Sequence, residues 1–477
     1  MDTQVLSRIQ FAVTAGFHFL FLPLTIGLAW LLVVVEAAAW RSGKAVYDQT
    51  GHFFGGILGL SFVVVLATGL IMLFQCGTNW DRYSSFAGGI LGTAFVAAAV
   101  PGLFLQAIFL GLYLFGHERI SRGVRVLAIF MVALGASLST FWIVVANSWM
   151  QTPRGYGIVE APPSMPGRAQ LDDSRTQTAD GFTITAATPT APRRAELSDL
   201  AAAVFNPSTM VRYHHTMAAA MLSGALFMVG CAAWILRKDA AHAVARLALR
   251  ISLPLGLLFS VLVAFPSGHR HVQQVAGTQP EKFAAIAGLY RSPREPPLVS
   301  LARPADPGSR VNAGIAVPRF LSWLALGKVD TRLSDINAFP PHELPPLALT
   351  FVAFHAMVVL GLLVIAAMAY AVLLQLRGRL FERRRFLLVL IILAPLPLVA
   401  SVLGWIAVEA GRQPWVIHKV MRTSAAFSSG ISPGQALFSL ILLGCICLSL
   451  LVVCLFGLID RLQHPPGSAG IDCGGSP

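Results

Sequence analysis

Residues 386–409 read FLLVLIILAPLPLVASVLGWIAVE and are followed, after Ala410, by GRQPW. The run carries no charge until its last residue, Glu409, and it exceeds the roughly 20 residues that a helix needs to cross a bilayer. Of the 22 acidic residues, only Glu36 and Glu409 lie in or at the end of a long hydrophobic run. A carboxylate at membrane depth is energetically costly, so Glu409 indicates a ligand, a proton carrier or an ion partner.

Similar apolar runs recur along the whole chain. The composition is 56% hydrophobic and 12% charged, far from the roughly 25% charge of soluble domains, and the mean hydropathy is +0.69. We therefore predict an all-α polytopic membrane protein. The nine predicted transmembrane helices lie near residues 15–36, 54–75, 92–115, 126–147, 213–236, 250–266, 347–375, 386–409 and 434–459.

The net charge of +13 is concentrated in short connections. Basic residues follow the first, third, fifth and seventh predicted spans, whereas the short connection after the second span holds only Arg82. The positive-inside rule then predicts an N-terminus outside and a C-terminus inside. The charge therefore orients the protein in a lipid bilayer and argues against a nucleic-acid partner.

Two long connections, 148–212 and 267–346, divide the chain into a four-helix block (1–147), a helix pair (213–266) and a three-helix block (347–463). The first ten residues are too polar for a signal peptide, so the first apolar run is predicted to be a retained span. Residues 464–477 are expected to form a disordered tail. Four of the six cysteines lie inside spans and none is in a CxxC pair, which argues against a disulfide or zinc framework.

Histidine and methionine are axial ligands of haem iron, and several lie in the predicted spans. One residue step on a helix is a rotation of about 100°, so the adjacent His214 and His215 cannot both face one pocket. His355 and Met357 differ by about 200°, so at most one of them points at a given haem. Taken singly, a membrane histidine such as His18 also fits a bundle hydrogen bond, and methionine is common core filler.

The order of several motifs narrows these possibilities. Their sequences are LSRIQF (6–11), FHFLF (17–21), GTNW (77–80), WIVVANSWMQTP (142–153) and GRQPW (411–415). Together they closely resemble subunit I of the cytochrome bd family of quinol-oxidising terminal oxidases, over about Leu6 to Leu458.

The resemblance implies a subunit that holds three haems near the outer face, oxidises quinol and reduces oxygen to water. By position, His215 and Met357 match the axial ligands of a low-spin haem b. His18 and Glu409 match the ligands of two high-spin haems, one b-type and the other d-type or a replacement. Which of the two residues serves which haem stays open, and Glu409 could instead form a salt bridge to Arg412 at the helix end.

Other positions match residues around those haems. They are Arg8, Asn147 and Trp149, where a cation could offset propionate charge, and Arg412 in the GRQPW motif. Trp405, one turn before Glu409, could pack on a macrocycle or act as an interfacial anchor.

Lys282, in QPEKFAA (279–285), matches the lysine of the family's quinol-binding loop. An ammonium on an outward loop could hydrogen-bond a quinone carbonyl, although an exposed lysine is more often merely solvated. The resemblance further implies a second membrane subunit as partner, with quinol and oxygen as substrates, in the bacterial cytoplasmic (inner) membrane.

The chain departs from the family pattern at polar positions. Two glutamates associated with proton delivery are Ala98 and Gln106, and a further acid is Leu73. The quinol-loop glutamate is Ala287, and an arginine near the low-spin haem is His355. Three interpretations follow: an oxidase with a rerouted proton path, a relative with a changed donor or acceptor, or a haem-binding redox or sensor protein without turnover. A haem-free transporter is a rival from another class.

Overall fold

The computed structural model describes residues 2–116, 119–160, 193–289, 298–300, 315–317 and 334–466. Much of both long connections, and the predicted tail beyond 466, lie outside the described residues. The helices are α1 (Thr3–Ser42), α2 (Ala45–Thr78), α3 (Asp81–Ala99), α4 (Gln106–Phe115), α5 (Arg122–Gln151), α6 (Leu200–Val204), α7 (Thr209–Lys238), α8 (Ala243–Leu262), α9 (His269–Thr278), α10 (Pro280–Ala287), α11 (Leu347–Leu376), α12 (Arg384–Leu393), α13 (Leu396–Ala410) and α14 (Pro433–Gln463). The strands form three antiparallel pairs: β1 (Tyr156–Glu160) with β2 (Arg193–Leu197), β3 (Leu298–Ser300) with β4 (Ile315–Val317), and β5 (Trp415–Ile417) with β6 (Met421–Arg422).

Within the described residues, nine helices are long and apolar enough to cross a membrane, which confirms the predicted fold class. The sixth was expected to end at 266, but the helix continues from Ala243 to Thr278. Pro266 lies in a π-helical segment, Val263–Gly268, that joins α8 to α9. A π turn loosens the regular hydrogen-bond ladder, so it accommodates a proline that lacks an N–H.

Helix α1 lies at the centre of the bundle and contacts α2, α5, α7, α13 and α14. Its crossing with α7 is close, because a Cβ added at Gly27 would lie 2.1 Å from the Ala220 carbonyl oxygen. A Cβ at Gly224 would lie 2.4 Å from the Gly27 backbone carbon. Membrane helices approach this closely where small residues leave the backbones uncovered. The crossing fixes α7 against the helix that carries His18.

The segment after α13 folds back onto the bundle. The β5–β6 hairpin is held to α5 by the backbone N–H of His418, which donates to the Met150 carbonyl at 2.9 Å. Helix α10 packs against α9 and α11. These contacts gather the end of α5, the end of α13 and α10 at one end of the bundle.

Candidate functional site at the Glu409 end

Glu409 is the last residue but one of α13, and both of its carboxylate oxygens have hydrogen-bond partners. Arg412 Nη2 donates to Oε2 at 2.5 Å, and Asn147 Nδ2 of α5 donates to Oε1 at 3.0 Å. Glu409, Arg412 and Asn147, which lie far apart or in a turn of the sequence, therefore meet in the structure. The salt bridge foreseen as the alternative to iron ligation is present, and the carboxylate is held in a fixed orientation.

Lys282 lies beside this carboxylate and is buried, with 2% of its surface exposed. Its Nζ donates to the Val408 carbonyl at 3.0 Å and to Gln151 Oε1 at 3.1 Å. A Cβ added at Gly411 would lie 2.9 Å from two carbons of the lysine stem. An exposed, solvated lysine on an outward loop was the alternative expected from the sequence. The structure corrects it, because α10 packs against the end of α13 and buries Lys282.

Burial lowers the pKa of Lys282 well below its ordinary value. The charges of Arg212 and Arg412 lower it further, while Glu409 and Glu281 oppose the shift. A buried ammonium is disfavoured because it loses hydration. Lys282 therefore holds its proton weakly.

The histidine predicted as a ligand on α1 has one ring nitrogen already engaged. His18 Nδ1 lies 2.8 Å from the Thr68 hydroxyl of α2. That hydroxyl donates its single proton to the Val64 carbonyl at 2.7 Å, so its oxygen accepts from Nδ1–H. The other nitrogen, Nε2, then keeps its lone pair, which is the arrangement found in metal-bound histidines.

His215 on α7 makes the same kind of contact with a hydroxyl group. Its Nδ1 lies 3.3 Å from the Ser267 hydroxyl, which donates to the Leu262 carbonyl at 2.9 Å. Ser267 belongs to the π-helical segment, which also contacts α11. Two predicted ligands thus have the same tautomer set by a hydroxyl on a neighbouring helix, whereas the adjacent His214 is exposed.

Met357 on α11 faces α13. A Cβ added at Gly404 would lie 2.8 Å from the Met357 sulfur, so the thioether packs directly on the glycine backbone. His355 lies on another face, where its Nδ1 is 2.9 Å from the Phe351 carbonyl and its ring stacks on Phe351. The predicted separation of these two side chains around the helix is confirmed.

Aromatic rings join α13 to α1. Trp405 stacks on Phe19 at 5.8 Å between ring centroids, and Phe11 lies 6.4 Å away. Phe19 follows His18 directly, so Trp405 links the helix of Glu409 to the helix of His18. Arg8 is exposed and donates to Gln413 Oε1 at 3.5 Å, beside the GRQPW turn.

Trp149, also predicted to lie near the haems, is fully buried beneath the β1–β2 hairpin. Its indole Nε1 donates to the Arg154 carbonyl at 3.0 Å, and its ring packs edge-on against Tyr156. These contacts give it a structural role in closing the end of α5.

Positive side chains outnumber carboxylates around Glu409. Arg212, Lys282 and Arg412 all act electrostatically on this one carboxylate, and Glu281, which also acts on Lys282, is paired with His418 at 2.6 Å. Arg412 Nη1 is buried without a hydrogen-bond partner among the described residues. Buried cations need anionic partners. Further carboxylates bound here would therefore offset the excess positive charge. The two propionates of a haem supply such groups, and the donor set therefore fits haem.

Sequence reasoning missed three contributors to this site. Arg212 lies one turn before His215 and donates to the Asn147 carbonyl at 3.4 Å. The His271 ring lies 5.4 Å from that of His215, and Gln151 holds Lys282. A cation one turn before a candidate ligand could have been noticed, and Gln151 lies within the WIVVANSWMQTP motif, whereas His271 carries no local signal.

The substituted acid positions occupy different surroundings. Ala98 and Gln106 are buried and flank the π-helical segment Val100–Leu105 between α3 and α4. Ala287 is buried in α10, whereas Leu73 is 43% exposed.

The comparisons with known proteins agree over nearly the whole chain. Residues 6–466 match the family model described as cytochrome bd terminal oxidase subunit I. Cytochrome bd ubiquinol oxidase subunit 1 of Bacillus subtilis (strain 168) is 30% identical over 473 residues, which cover 97% of this chain and 94% of that protein. Cytochrome bd-II ubiquinol oxidase subunit 1 of Escherichia coli (strain K12) is 30% identical over 508 residues, covering 93% of each.

A solved structure supports the fold. The structure of bd oxidase from Geobacillus thermodenitrificans matches with a TM-score of 0.83 and 24% identity, covering 98% of this chain and 99% of that one. The motifs, the nine helices and the matched family model lead to one assignment. The chain belongs to the cytochrome bd terminal oxidase subunit I family, whose members are haem-binding subunits of membrane oxidoreductases.

Proposed function

We propose that this chain binds three haems and acts as subunit I of a quinol-oxidising, oxygen-reducing complex. His215 and Met357 hold a low-spin haem b, and His18 and Glu409 serve the two high-spin haems, one of b-type and one of d-type or a replacement. The observation that carries the proposal is the cation surplus around Glu409, combined with two histidines whose Nε2 lone pairs are left open by hydroxyl acceptors. Bound haem would supply the electron carriers and an iron able to bind oxygen.

The chain's own residues have definite tasks in this function. Asn147 and Arg412 fix the orientation of the Glu409 carboxylate. Arg212 and the free Nη1 of Arg412 offer positive charge to propionates, since charge-assisted hydrogen bonds to carboxylates are among the strongest.

Lys282 is the proposed quinol contact. Because its pKa is lowered, its neutral amine can accept a proton from a quinol hydroxyl, as a general base does. A bound quinol would have to replace the present contact of Nζ with Gln151 or with the Val408 carbonyl.

The complex is expected to include a second membrane subunit and to lie in the bacterial cytoplasmic membrane, with the Glu409 end outward. Support comes from the relatives, which are named as subunits, and from α14, which exposes most of its apolar surface. Large exposed apolar surfaces on membrane helices face lipid or a partner helix.

A second candidate function is a redox or sensor protein that binds haem without oxidase turnover. Ala98 and Gln106 favour it, because neither residue can carry a proton at a site where oxygen reduction consumes protons.

Oxygen consumption by the purified complex, with its partner subunit present and quinol as donor, separates the two functions. We expect steady consumption, and pigment extraction should then identify the haem types. Full haem occupancy without consumption would favour the sensor. Membranes lacking a reduced-minus-oxidised haem spectrum would instead indicate a transporter.

A further inference from the structure

Glu36, the other carboxylate in an apolar run, lies at the opposite end of the bundle. It is eighteen residues after His18 on α1, a rise of about 27 Å, and its surface is 0% exposed. Its Oε1 accepts a hydrogen bond from Tyr113 of α4 at 2.8 Å. Its Oε2 has no hydrogen-bond partner among the described residues, and Arg125 Nε lies 3.7 Å away.

The Tyr113 hydroxyl has one proton and two acceptors. It lies 2.8 Å from Glu36 Oε1 and 3.1 Å from the Gly51 carbonyl oxygen. When Glu36 is ionised, Tyr113 donates to it. When Glu36 is protonated, its own O–H donates to Tyr113, which then donates to Gly51. Both protonation states of the carboxyl are therefore hydrogen-bonded without movement of any heavy atom.

Glycine at position 51 keeps this arrangement open. A Cβ there would lie 2.2 Å from Glu36 Oε1 and 3.2 Å from the Tyr113 hydroxyl. Gly55, one turn later on α2, makes room for the tyrosine ring, because its Cβ would lie 2.7 Å from Tyr113 Cε1. The site is built by three helices and depends on these two glycines.

A series of ion pairs connects Glu36 to the protein surface. Arg122 pairs with Asp48 at 2.7 Å, Asp48 pairs with Arg125, and Arg125 faces Glu36. The side-chain exposures fall along this series from 40% for Arg122 to 18% for Asp48, 6% for Arg125 and 0% for Glu36. Charged groups thus lead from solvent to a buried carboxyl whose second oxygen has no hydrogen-bond partner among the described residues.

We propose that Glu36 and Tyr113 form a proton relay that takes up protons at this end for oxygen reduction, with Asp48 and the two arginines as its entrance. The Glu36 carboxylate accepts a proton from water at the Asp48 side and becomes a neutral acid. It returns to the carboxylate when that proton leaves toward the oxygen site, so one proton passes for each electron delivered to oxygen by quinol. This inference rests on the proposed oxidase function.

From Glu36 and Tyr113 the proton would move along α4. Gln106 lies seven residues before Tyr113, which is about two turns or 10 Å on nearly the same helical face. Near Gln106, a Cβ added at Gly102 would lie 2.8 Å from the Ser139 hydroxyl and 3.6 Å from the Gln106 amide nitrogen. Gln106 and Ser139 are therefore the next polar side chains in the direction of Ala98, and ordered water would have to bridge the two apolar turns between Tyr113 and Gln106.

The charge pattern distinguishes a relay from a structural ion pair. Arg125 contacts Asp48 more closely than it contacts Glu36, whose Oε2 lies 3.7 Å from Arg125 Nε. The groups that face it are Tyr113, Arg125, Asp48 and Arg122. Among the described residues, ionised Glu36 and Asp48 balance Arg122 and Arg125, and protonation of Glu36 changes the net charge by one.

The test compares the wild-type complex with Glu36→Gln and Tyr113→Phe. We expect each variant to retain haem content and anaerobic haem reduction by quinol, but to lower steady oxygen consumption by about 10-fold or more, as loss of a proton-transfer group does. Asp460→Asn, an exposed acid on α14, is the control and should keep the wild-type rate.

A second readout does not depend on turnover. Infrared difference spectra of the purified protein, recorded as pH is varied, should contain a carboxyl band that Glu36→Gln removes and Asp460→Asn keeps. Wild-type oxygen consumption in both relay variants, with no carboxyl band assigned to Glu36, would overturn the relay. If Glu36→Gln fails to fold, Tyr113→Phe decides. If wild-type protein consumes no oxygen, the proposed function fails, and the infrared titration still decides whether Glu36 exchanges a proton.

Discussion

The two ends of the bundle each contain a buried carboxylate facing arginine, but their charge balance differs. At the Glu409 end, Arg212, Lys282 and Arg412 act on one carboxylate. At the opposite end, Arg122 and Arg125 are matched by Asp48 and Glu36. Among the described residues, the first end has more cations than carboxylates, whereas the second has two of each. We propose that the first site holds a cofactor and that the second passes protons.

The largest expected effect is at the Glu409 end, where cations outnumber carboxylates. Glu409→Gln leaves Arg212 and Arg412 without this carboxylate, and breaking a buried pair costs about 3–5 kcal/mol. We expect loss of the haem served by Glu409 and a fall in oxygen consumption of about 100-fold or more. Haem content of the purified complex and its oxygen uptake measure this, with Asp460→Asn as control. Unchanged haem content in Glu409→Gln would break the comparison.

Met357→Leu tests the low-spin site, which lies at the same end but outside the charge cluster. We expect it to perturb the low-spin haem spectrum and leave the high-spin spectra largely intact, because leucine has no thioether to bind iron. The matched control is Met368→Leu, a fully buried methionine three turns later on α11. A normal low-spin signal in Met357→Leu would remove this residue from the site.

Glu281→Gln tests the pair that Glu281 forms with His418. Burial raises the pKa of Glu281, but the hydrogen bond from His418, its own backbone N–H and the charge of Lys419 together lower it. A lowered pKa stabilises the fold above the unfolded value, and this stabilisation is lost as pH falls through the folded value.

A hydrogen bond to a charged group contributes about 1.5–3 kcal/mol, so Glu281→Gln should unfold at lower temperature at neutral pH. The gap from wild type should shrink in acid, below the ordinary pKa of a glutamate. Thermal unfolding of the detergent-solubilised complex over a pH series measures it. A gap that stays constant into acid would contradict the assigned role of the carboxylate.

Gly411→Ala probes the packing of Lys282. The added methyl would lie 2.6 Å from the Ala407 carbonyl oxygen and 2.9 Å from Lys282 Cγ and Cε, and such overpacking costs about 1–3 kcal/mol. We expect a lower unfolding temperature and a raised KM for quinol. Gly361→Ala is the matched control, because a Cβ there meets nothing within 4 Å. Equal effects of the two variants would show that Lys282 is not held by this contact.

The smallest effect is expected from restoring an acid between the two ends. Gln106→Glu should raise oxygen consumption a few-fold if proton delivery limits turnover, because a carboxyl can carry the proton that an amide cannot. Gln106→Ala should give no rise. No rise in Gln106→Glu either would mean that proton delivery past this position is not limiting.

Much of the fold could be predicted from local sequence. Runs of apolar residues predicted nine spans, and the structure and family comparisons confirm the fold class and the family. The predicted end of the sixth span was wrong, because a π-helical segment accommodates Pro266 and the helix continues beyond it. Glu409 and its neighbours Arg412 and Asn147 were identified by motif, and the structure brings them together. Their haem roles stay predictions.

Contacts between distant segments could not be predicted in this way. Lys282 was expected on an exposed loop, but it is buried by Gln151, 131 residues earlier, and by Val408, 126 residues later. The Glu281 and His418 side chains are 137 residues apart in the chain. Neither pairing leaves a local pattern, because it depends on how α10 and the β5–β6 hairpin fold onto the ends of α5 and α13.

The sequence by itself determined that this is a membrane bundle with two costly carboxylates, since hydropathy and burial cost act on each segment separately. Only the tertiary structure decided what surrounds each carboxylate. The electrostatic environment of a buried group is set by charges within a few ångströms, and those charges come from helices far apart in the chain. For that reason Glu409 lies among surplus cations and Glu36 within a balanced set of ion pairs.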